Sequence, residues 1–429
     1  MSKTDITDQP SPVTAASPRG SWLNRNVIGM GVTSFLSDAS HEMATTVLPG
    51  FLAVIGAPPS ALGFIEGISD AISSFVKLWG GWISDRLGHR KTLVTVGYFL
   101  TGLAMALFAF ATTWVLVLVG RVVGWFGRGF RGPMRDAMLA DSVEPSVRGK
   151  AFGFHRFGDT LGAILGPLLG VWLLEIWQPQ VTLESSQPFR NIFLVTLIPG
   201  ILSAVVFALM IVEKRRFPNH QLKLWGTVRS LPNDFKRFLL GVGMFGLGDF
   251  APTLLILAAT QLLTPEYGFT HAAQLAGLMY AVRNITYALA SFPIGTLSDR
   301  MSRIVLLILG YFLAVVTIGG FLLAFLVGWT GLPYLFLLFG LAGVFIAAED
   351  TLESLITADF IPSDTRGIGM GVLGTVNGIG DFGASITVGL LWTAISPVAG
   401  FGFSGLAMLA GAVVLVSMRR KRDHERQQA

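Results

Sequence analysis

About twelve apolar stretches of about 20 residues, separated by short polar loops, run almost from one end of this chain to the other. Each is long enough to cross the hydrocarbon layer of a bilayer as a helix, and in lipid only helices and closed barrels satisfy every backbone polar group. The predicted spans are 26–56, 60–84, 92–112, 114–140, 150–176 and 189–212, then 237–263, 271–297, 304–327, 332–358, 368–395 and 399–418. Of 429 residues 52% are hydrophobic and 13% charged, with a mean hydropathy of +0.63. One water-soluble core could not hide that much apolar surface, so the predicted class is an all-α polytopic membrane protein.

A net charge of +5 and a pI near 9.6 would suit a nucleic-acid partner if the basic residues formed one patch. They sit instead in alternate loops: Arg86, Arg90 and Lys91; Arg148 and Lys150; Lys214 to Arg237; Arg300 and Arg303; Arg366; and Arg419 to Arg422 in the tail. The intervening loops hold almost none, Arg190 excepted. The positive-inside rule then places both termini in the cytoplasm of a multi-pass plasma (inner) membrane protein and removes nucleic acid as a partner. Cysteine is absent, which excludes disulfides, thiol catalysis and Cys-based metal sites. The predicted organisation is a disordered tail 1–24, a bundle 25–212, a cytoplasmic linker 213–236, a second bundle 237–418 and a basic tail 419–429.

Aligned at an offset of about 215 residues, the two bundles read as repeats. Asp38 falls opposite Asp249, and the Gly63 region opposite Gly277. Asp85-Arg86 matches Asp299-Arg300, and Asp141 with Arg148 matches Asp359 with Arg366. Four coincidences in order, each at the same helix end, predict two pseudo-symmetric six-helix halves with a site between them.

The corner after span two reads Gly81, three residues, Asp85-Arg86, then Gly88, Arg90 and Lys91, and it resembles the hallmark of the major facilitator superfamily. Its second copy keeps Gly295, Asp299, Arg300 and Arg303. Span five adds Gly153, Gly162, Gly166-Pro167 and Gly170, similar to the antiporter motif of drug-exporting members, although the same glycines would serve ordinary close packing. The resemblance implies twelve helices, alternating access and a lean toward export.

A charge at the bilayer centre costs about 2.5 to 3.5 kcal/mol on insertion scales, so retained charges must face partners or water. For proton coupling, Asp38 at mid-depth leads, followed by His41, Glu42, Glu66, Asp70 and Asp249. A stripe of Arg121, Arg128, Arg131 and Arg135 makes one basic face on span four. Glu349, Asp350 and Glu353 stand at the corresponding positions of span ten, so Arg131 and Arg135 are expected to form a cytoplasmic gate with them; static pairing inside one half is the alternative. Tyr280, Arg283, Asn284 and Tyr287 on span eight, with Arg121 and Arg128, would grip an amphipathic solute bearing negative charge, unless Arg283 pairs with Asp249 or Asp381.

The function expected is a monomeric secondary transporter of a small organic solute, coupled to protons and leaning to efflux, with no cofactor and no metal. An uptake symporter is the alternative within transport. A membrane enzyme or sensor is the alternative outside it, and His41-Glu42 lacks the second His of a zinc-protease helix because Thr45 stands there.

Overall fold

The computed structural model describes residues 22–87, 90–144, 148–177, 185–213, 229, 231–298, 300–361 and 366–428, the side chains of 78–87, 140, 148–150, 366–368 and 419–428 excepted. Among these are twelve α-helices: α1 Arg25–Val54, α2 Pro59–Leu87, α3 Lys91–Leu107, α4 Trp114–Ser142, α5 Arg148–Trp177, α6 Gln187–Met210, α7 Asn233–Gly246, α8 Pro252–Ser298, α9 Arg303–Val327, α10 Leu332–Phe360, α11 Arg366–Ala394 and α12 Pro397–Gln428. A 3₁₀ turn, Phe108–Phe110, extends α3. Six helices, α3, α5, α6, α9, α10 and α12, carry windows long and apolar enough to cross a membrane.

Two spans depart from the expectation. Span seven is not one helix: α7 ends at Gly246 and α8 begins at Pro252, with Asp249 in the break. Pro252 has no amide hydrogen to continue the helical ladder, and the freed groups find partners on neighbouring helices. Ser404 Oγ donates to the Gly248 carbonyl, and the Ala251 amide donates to Ser385 Oγ at 3.0 Å. α8 itself covers two spans, 252–267 and 269–298, bent at Gly268, whose φ of 72° suits only glycine at low cost. The last helix also runs on through 419–428, where a tail was expected.

One large buried apolar cluster runs through both halves, from Phe51, Phe108 and Phe193 to Phe245, Phe321 and Phe401, a smaller one gathers Val27, Tyr98 and Phe207 in the first half, and glycines set how closely the helices approach. Gly158, Gly162, Gly166 and Gly170 of α5 lie against Gly31, Phe35, Ala39 and Met43 of α1, each step of four matched by a step of four. A Cβ at Gly162 would stand 2.5 Å from the Phe35 carbonyl oxygen, and one at Gly166 would stand 2.8 Å from that of Ala39. That register makes the two helices parallel neighbours along their length. The halves also share a salt bridge by symmetry: Arg90 at the start of α3 meets Asp141 near the end of α4 at 3.3 Å, and Arg303 at the start of α9 meets Asp359 near the end of α10 at 2.6 Å.

The halves meet through two seams at the end of the bundle opposite the chain termini. In one, Gly63 and Gly67 of α2 lie against Ser385 and Phe382 of α11, and the Ser60 amide donates to Thr393 Oγ1 at 2.8 Å. In the other, Gly277 of α8 abuts Val171 of α5, Gln274 donates to Glu175, and Asn284 Nδ2 donates to the Ala163 carbonyl at 2.8 Å. Both seams end near mid-height, at Ser74 with Gly378 and at Asn284 with Ala163. Beyond them, toward the termini, the halves part around a cleft.

Candidate functional site

The cleft is lined where the seams stop. Lys77, one turn past Ser74 on α2, and Asp350 on α10 are exposed to water although dense protein surrounds them, the signature of groups facing an internal opening. Lys77 lies within electrostatic reach of Asp70 on its own helix and of Asp381 and Asp350 in the other half. Arg156 on α5, 72% exposed, reaches toward Asp350 and toward Tyr287. Tyr287 donates its hydroxyl hydrogen to Asp350 Oδ2 at 2.9 Å and so fixes that carboxylate at the cleft wall.

Two arginines of the basic face of α4 are neutralised from neighbouring helices and a third from α4 itself. Arg121, 2% exposed, forms a bidentate pair with Glu66 of α2, with Nη2 2.9 Å from both carboxylate oxygens, and lies over the Trp125 ring. Arg128 meets Asp38 of α1 at 3.4 Å and also covers Trp125. Arg131 donates to Ser37 Oγ at 2.9 Å and stacks 3.9 Å from the Tyr98 ring centre. Arg135 pairs with Asp136 at 2.9 Å, and Arg156 with Asp159 at 3.7 Å. The expectation of an anionic solute rested on the span-eight stripe together with the α4 arginines, and three of the four α4 arginines have a carboxylate within 4 Å.

The expected pairing of Arg131 and Arg135 with Glu349 and Glu353 is not formed in this conformation. Glu353, 1% exposed, accepts from the Tyr311 hydroxyl at 2.6 Å and from Asn377 at 2.8 Å, within its own half. Tyr98 and Tyr311 occupy corresponding helices and brace, respectively, the arginine and the glutamate of the two halves. Neither tyrosine was singled out by sequence, although their separation fits the repeat offset.

The stripe on α8 divides by function. Tyr280 donates to Glu42 Oε2 of α1 at 2.8 Å and Asn284 reaches α5, so both tie the halves together. Arg283 bonds Asn284 Oδ1 at 3.1 Å and lies 5.7 Å from the Tyr280 ring centre; it forms no ion pair with Asp249 or Asp381. His41 packs edge-on to Trp125 with Nδ1 buried and unpartnered.

Of the corner residues, Arg90 is buried and paired with Asp141, while Glu213 accepts from the backbone amides of Arg90 and Lys91 at the start of α3. Arg300 is exposed beside the start of α9. Gly81, Asp85 and Arg86 fall on α2 with side chains outside the described set, and Gly88 and Asp299 lie outside the described residues. In the antiporter-like run, Gly162, Gly166 and Gly170 belong to the α1 seam, Pro167 is buried beside them, and Gly153 faces open space. Gly158 completes the seam, and its four-residue spacing was the signal that sequence reading left unused.

The model of the Major Facilitator Superfamily matches residues 30–262 and again 238–429. An MFS-type transporter of Methanocaldococcus jannaschii is 30% identical over 396 residues, covering 92% of this chain and 95% of that one. A multidrug resistance protein, MdtH of Photorhabdus laumondii, is 26% identical over 255 residues, 59% of each chain. Among solved structures, a POT family transporter in complex with 5-aminolevulinic acid superposes with a TM-score of 0.75 at 13% identity, covering 94% of this chain and 98% of that one. A bacterial homolog of the human lysosomal transporter Spinster, inward-facing and occupied, gives 0.68 at 16% identity, covering 94% and 96%. At such identities the two structures speak for the fold alone.

Proposed function

The chain belongs to the major facilitator superfamily of secondary transporters, and from that premise we propose that it exports a small organic solute across the plasma membrane by alternating access, with the proton as coupling ion. The observation that carries this reading is the pair of seams that hold the halves together at one end and stop at mid-height. A bundle built this way has a second closed form within reach: the seams open, the halves rock, and the cleft mouth closes. With the basic loops in the cytoplasm, the present conformation faces inward.

The mouth would close through charges that already face each other across it. Lys77 and Arg156 stand on the first half and Asp350 on the second, exposed and within electrostatic reach. Coupling is assigned to Asp38, which is buried beside Arg128 and within electrostatic reach of Asp159. A proton on Asp38 removes the charge opposite Arg128, and that change alters the cost of presenting the arginine to a solute or to water. The α1–α5 seam runs through the same place, since a Cβ at Gly162 would meet the Asp38 side chain at 3.1 Å. Movement of one helix on the other is thereby linked to the state of Asp38, and likeness of that seam to the exporters' motif supports outward transport.

Proteoliposomes test the reading. Asp38→Asn should abolish proton-driven accumulation and retain solute counterflow. Loss of both, with the protein folded, would assign Asp38 to structure and remove it from coupling.

A further inference from the structure

The two walls of the cleft are unequal in charge. In the first half most intramembrane cations have a carboxylate from the same half. In the second half Asp249, Glu349 and Asp381 approach one another from three elements: the break between α7 and α8, α10 and α11. Each lies within electrostatic reach of the other two. Arg283 is the one basic side chain at this depth of that half among the described residues, and it forms no ion pair with them. Lys77 of the opposite half faces Asp381 only across the opening.

Glu349 supplies an independent observation. It is 7% exposed, and its Oε2 is buried without a hydrogen-bond partner. A lone carboxylate oxygen in such surroundings is costly until a donor or a cation reaches it. Glu353, one turn away, shows how the same chain satisfies a glutamate meant to stay where it is, with donors from Tyr311 and Asn377. Glu349 has no such pair of donors. The three carboxylates are also not spaced as a metal site, because no group of acidic or His residues among the described ones could hold a metal ion. Beside Asp249, a small cavity is lined by Arg283 and by the apolar and aromatic side chains of Phe250, Leu255, Phe345, Ile346 and Met408, which would border the hydrocarbon part of a cation that displaces Arg283.

We infer that the solute of this carrier bears a positively charged group, an organic ammonium or similar cation, received by Glu349, Asp381 and Asp249 on the second half. The inference rests on the transporter reading for its site and adds the sign of the solute. It reverses the polarity that the arginine face of α4 suggests in sequence, since three of those four arginines are held by carboxylates of their own half and Arg131 by Ser37 and the Tyr98 ring. Arg283, which lines the same cavity as Asp249 and lies within its electrostatic reach, is the cation that the solute would displace.

Size-matched ions of opposite sign decide it. The full-length protein in detergent is heated with tetraphenylphosphonium or tetraphenylborate, and with the smaller pair benzylammonium and benzoate. At least one cation should raise the unfolding temperature while its anionic counterpart does not. Glu349→Gln and Asp381→Asn should each raise the half-maximal concentration of that cation tenfold or more. Glu349→Gln should also unfold at a higher temperature than the parent without ligand, because it removes one of several like charges; a structural glutamate would give the opposite. If Glu349→Gln does not fold, Asp381→Asn carries the test.

Stabilisation by the anions in preference, no response to either cation at millimolar concentration, or an unchanged cation response in the variants overturns the inference. Counterflow of the responding probe in proteoliposomes separates the two readings. Binding without exchange would refute the carrier and keep the cation site, whereas exchange of anions alone would keep the carrier and refute the cation.

Discussion

The Tyr280 hydroxyl donates to Glu42 Oε2 across the line between the halves, at 2.8 Å, and Glu42 lies on the α1 face that receives Gly166 of α5. One hydrogen bond thus joins α8 of the second half to the tightest helix pair of the first. A bond to a charged acceptor contributes about 1.5 to 3 kcal/mol. Tyr280→Phe should therefore shift the balance toward the form whose cleft mouth is closed by a factor of about ten to about a hundred. The chain has no cysteine, so spin labels at Phe152→Cys and Phe292→Cys report the distance between α5 and α8 directly. A shorter-distance population should grow in the Tyr280→Phe background, and an unchanged distribution would show that the bond does not hold the seam.

Glu66 and Arg121 behave as a buried structural pair, and this separates Glu66 from the other coupling candidates. Both side chains are 2–3% exposed, and the guanidinium is further held by Thr45 and Trp125. Removing one partner leaves an uncompensated buried charge, at a cost of about 3 to 5 kcal/mol. Glu66→Gln and Arg121→Met should each lower the unfolding temperature sharply, and the double variant should recover much of the loss. Transport per folded molecule should change less than the yield of folded protein. A stable Glu66→Gln protein that has lost only proton-driven transport would return Glu66 to the coupling site.

The glycine seam gives a contrast within one helix. At Gly162 and Gly166 an added methyl meets α1 backbone, which has no room to turn aside, whereas at Gly153 it meets open space. Overpacking costs about 1 to 3 kcal/mol, and a backbone neighbour places these sites at or above the upper end. Gly162→Ala and Gly166→Ala should unfold several degrees below the parent in detergent, while Gly153→Ala should match it. Equal behaviour of all three would mean that α1 and α5 are not packed in this register.

The spans, the halves and the α5 glycines are legible in sequence because each depends on residues close together in the chain. Run length reports a membrane helix, and a shared corner reports a repeat. The break at Leu247 to Ala251 is marked in sequence only by Gly248 and Pro252, which an apolar span can also carry within one helix, and the partners that stabilise it, Ser385 and Ser404, come from distant helices. Charge partners are hidden for the same reason. The arginine face of α4 follows from helical periodicity, but that Arg121 belongs to Glu66 and Arg128 to Asp38 depends on how α1, α2 and α4 pack. Helical periodicity says which way a side chain points on its own helix and nothing of what waits opposite.

The cleft mouth yields the last prediction. Asp350 is fixed by the Tyr287 hydroxyl, and Lys77 and Arg156 approach it from α2 and α5 without contact in the present conformation. If those charges close the mouth, they come into contact only in the state in which the seams have opened, so altering them acts chiefly on the rate and balance of the cycle. Coupling energies of close charge pairs begin at about 1.5 kcal/mol, so Asp350→Lys or Lys77→Asp alone should slow transport by about tenfold or more. The double exchange, Lys77→Asp with Asp350→Lys, should recover a substantial part, and Arg156→Asp with Asp350→Lys should recover it if Arg156 is the nearer partner. Unfolding temperatures should stay close to that of the parent throughout, because Lys77 and Asp350 are exposed to the cleft. Recovery in neither pairing, with every variant folded, would place the closing contact elsewhere, and Arg135 with Glu349 would be the next pair to exchange.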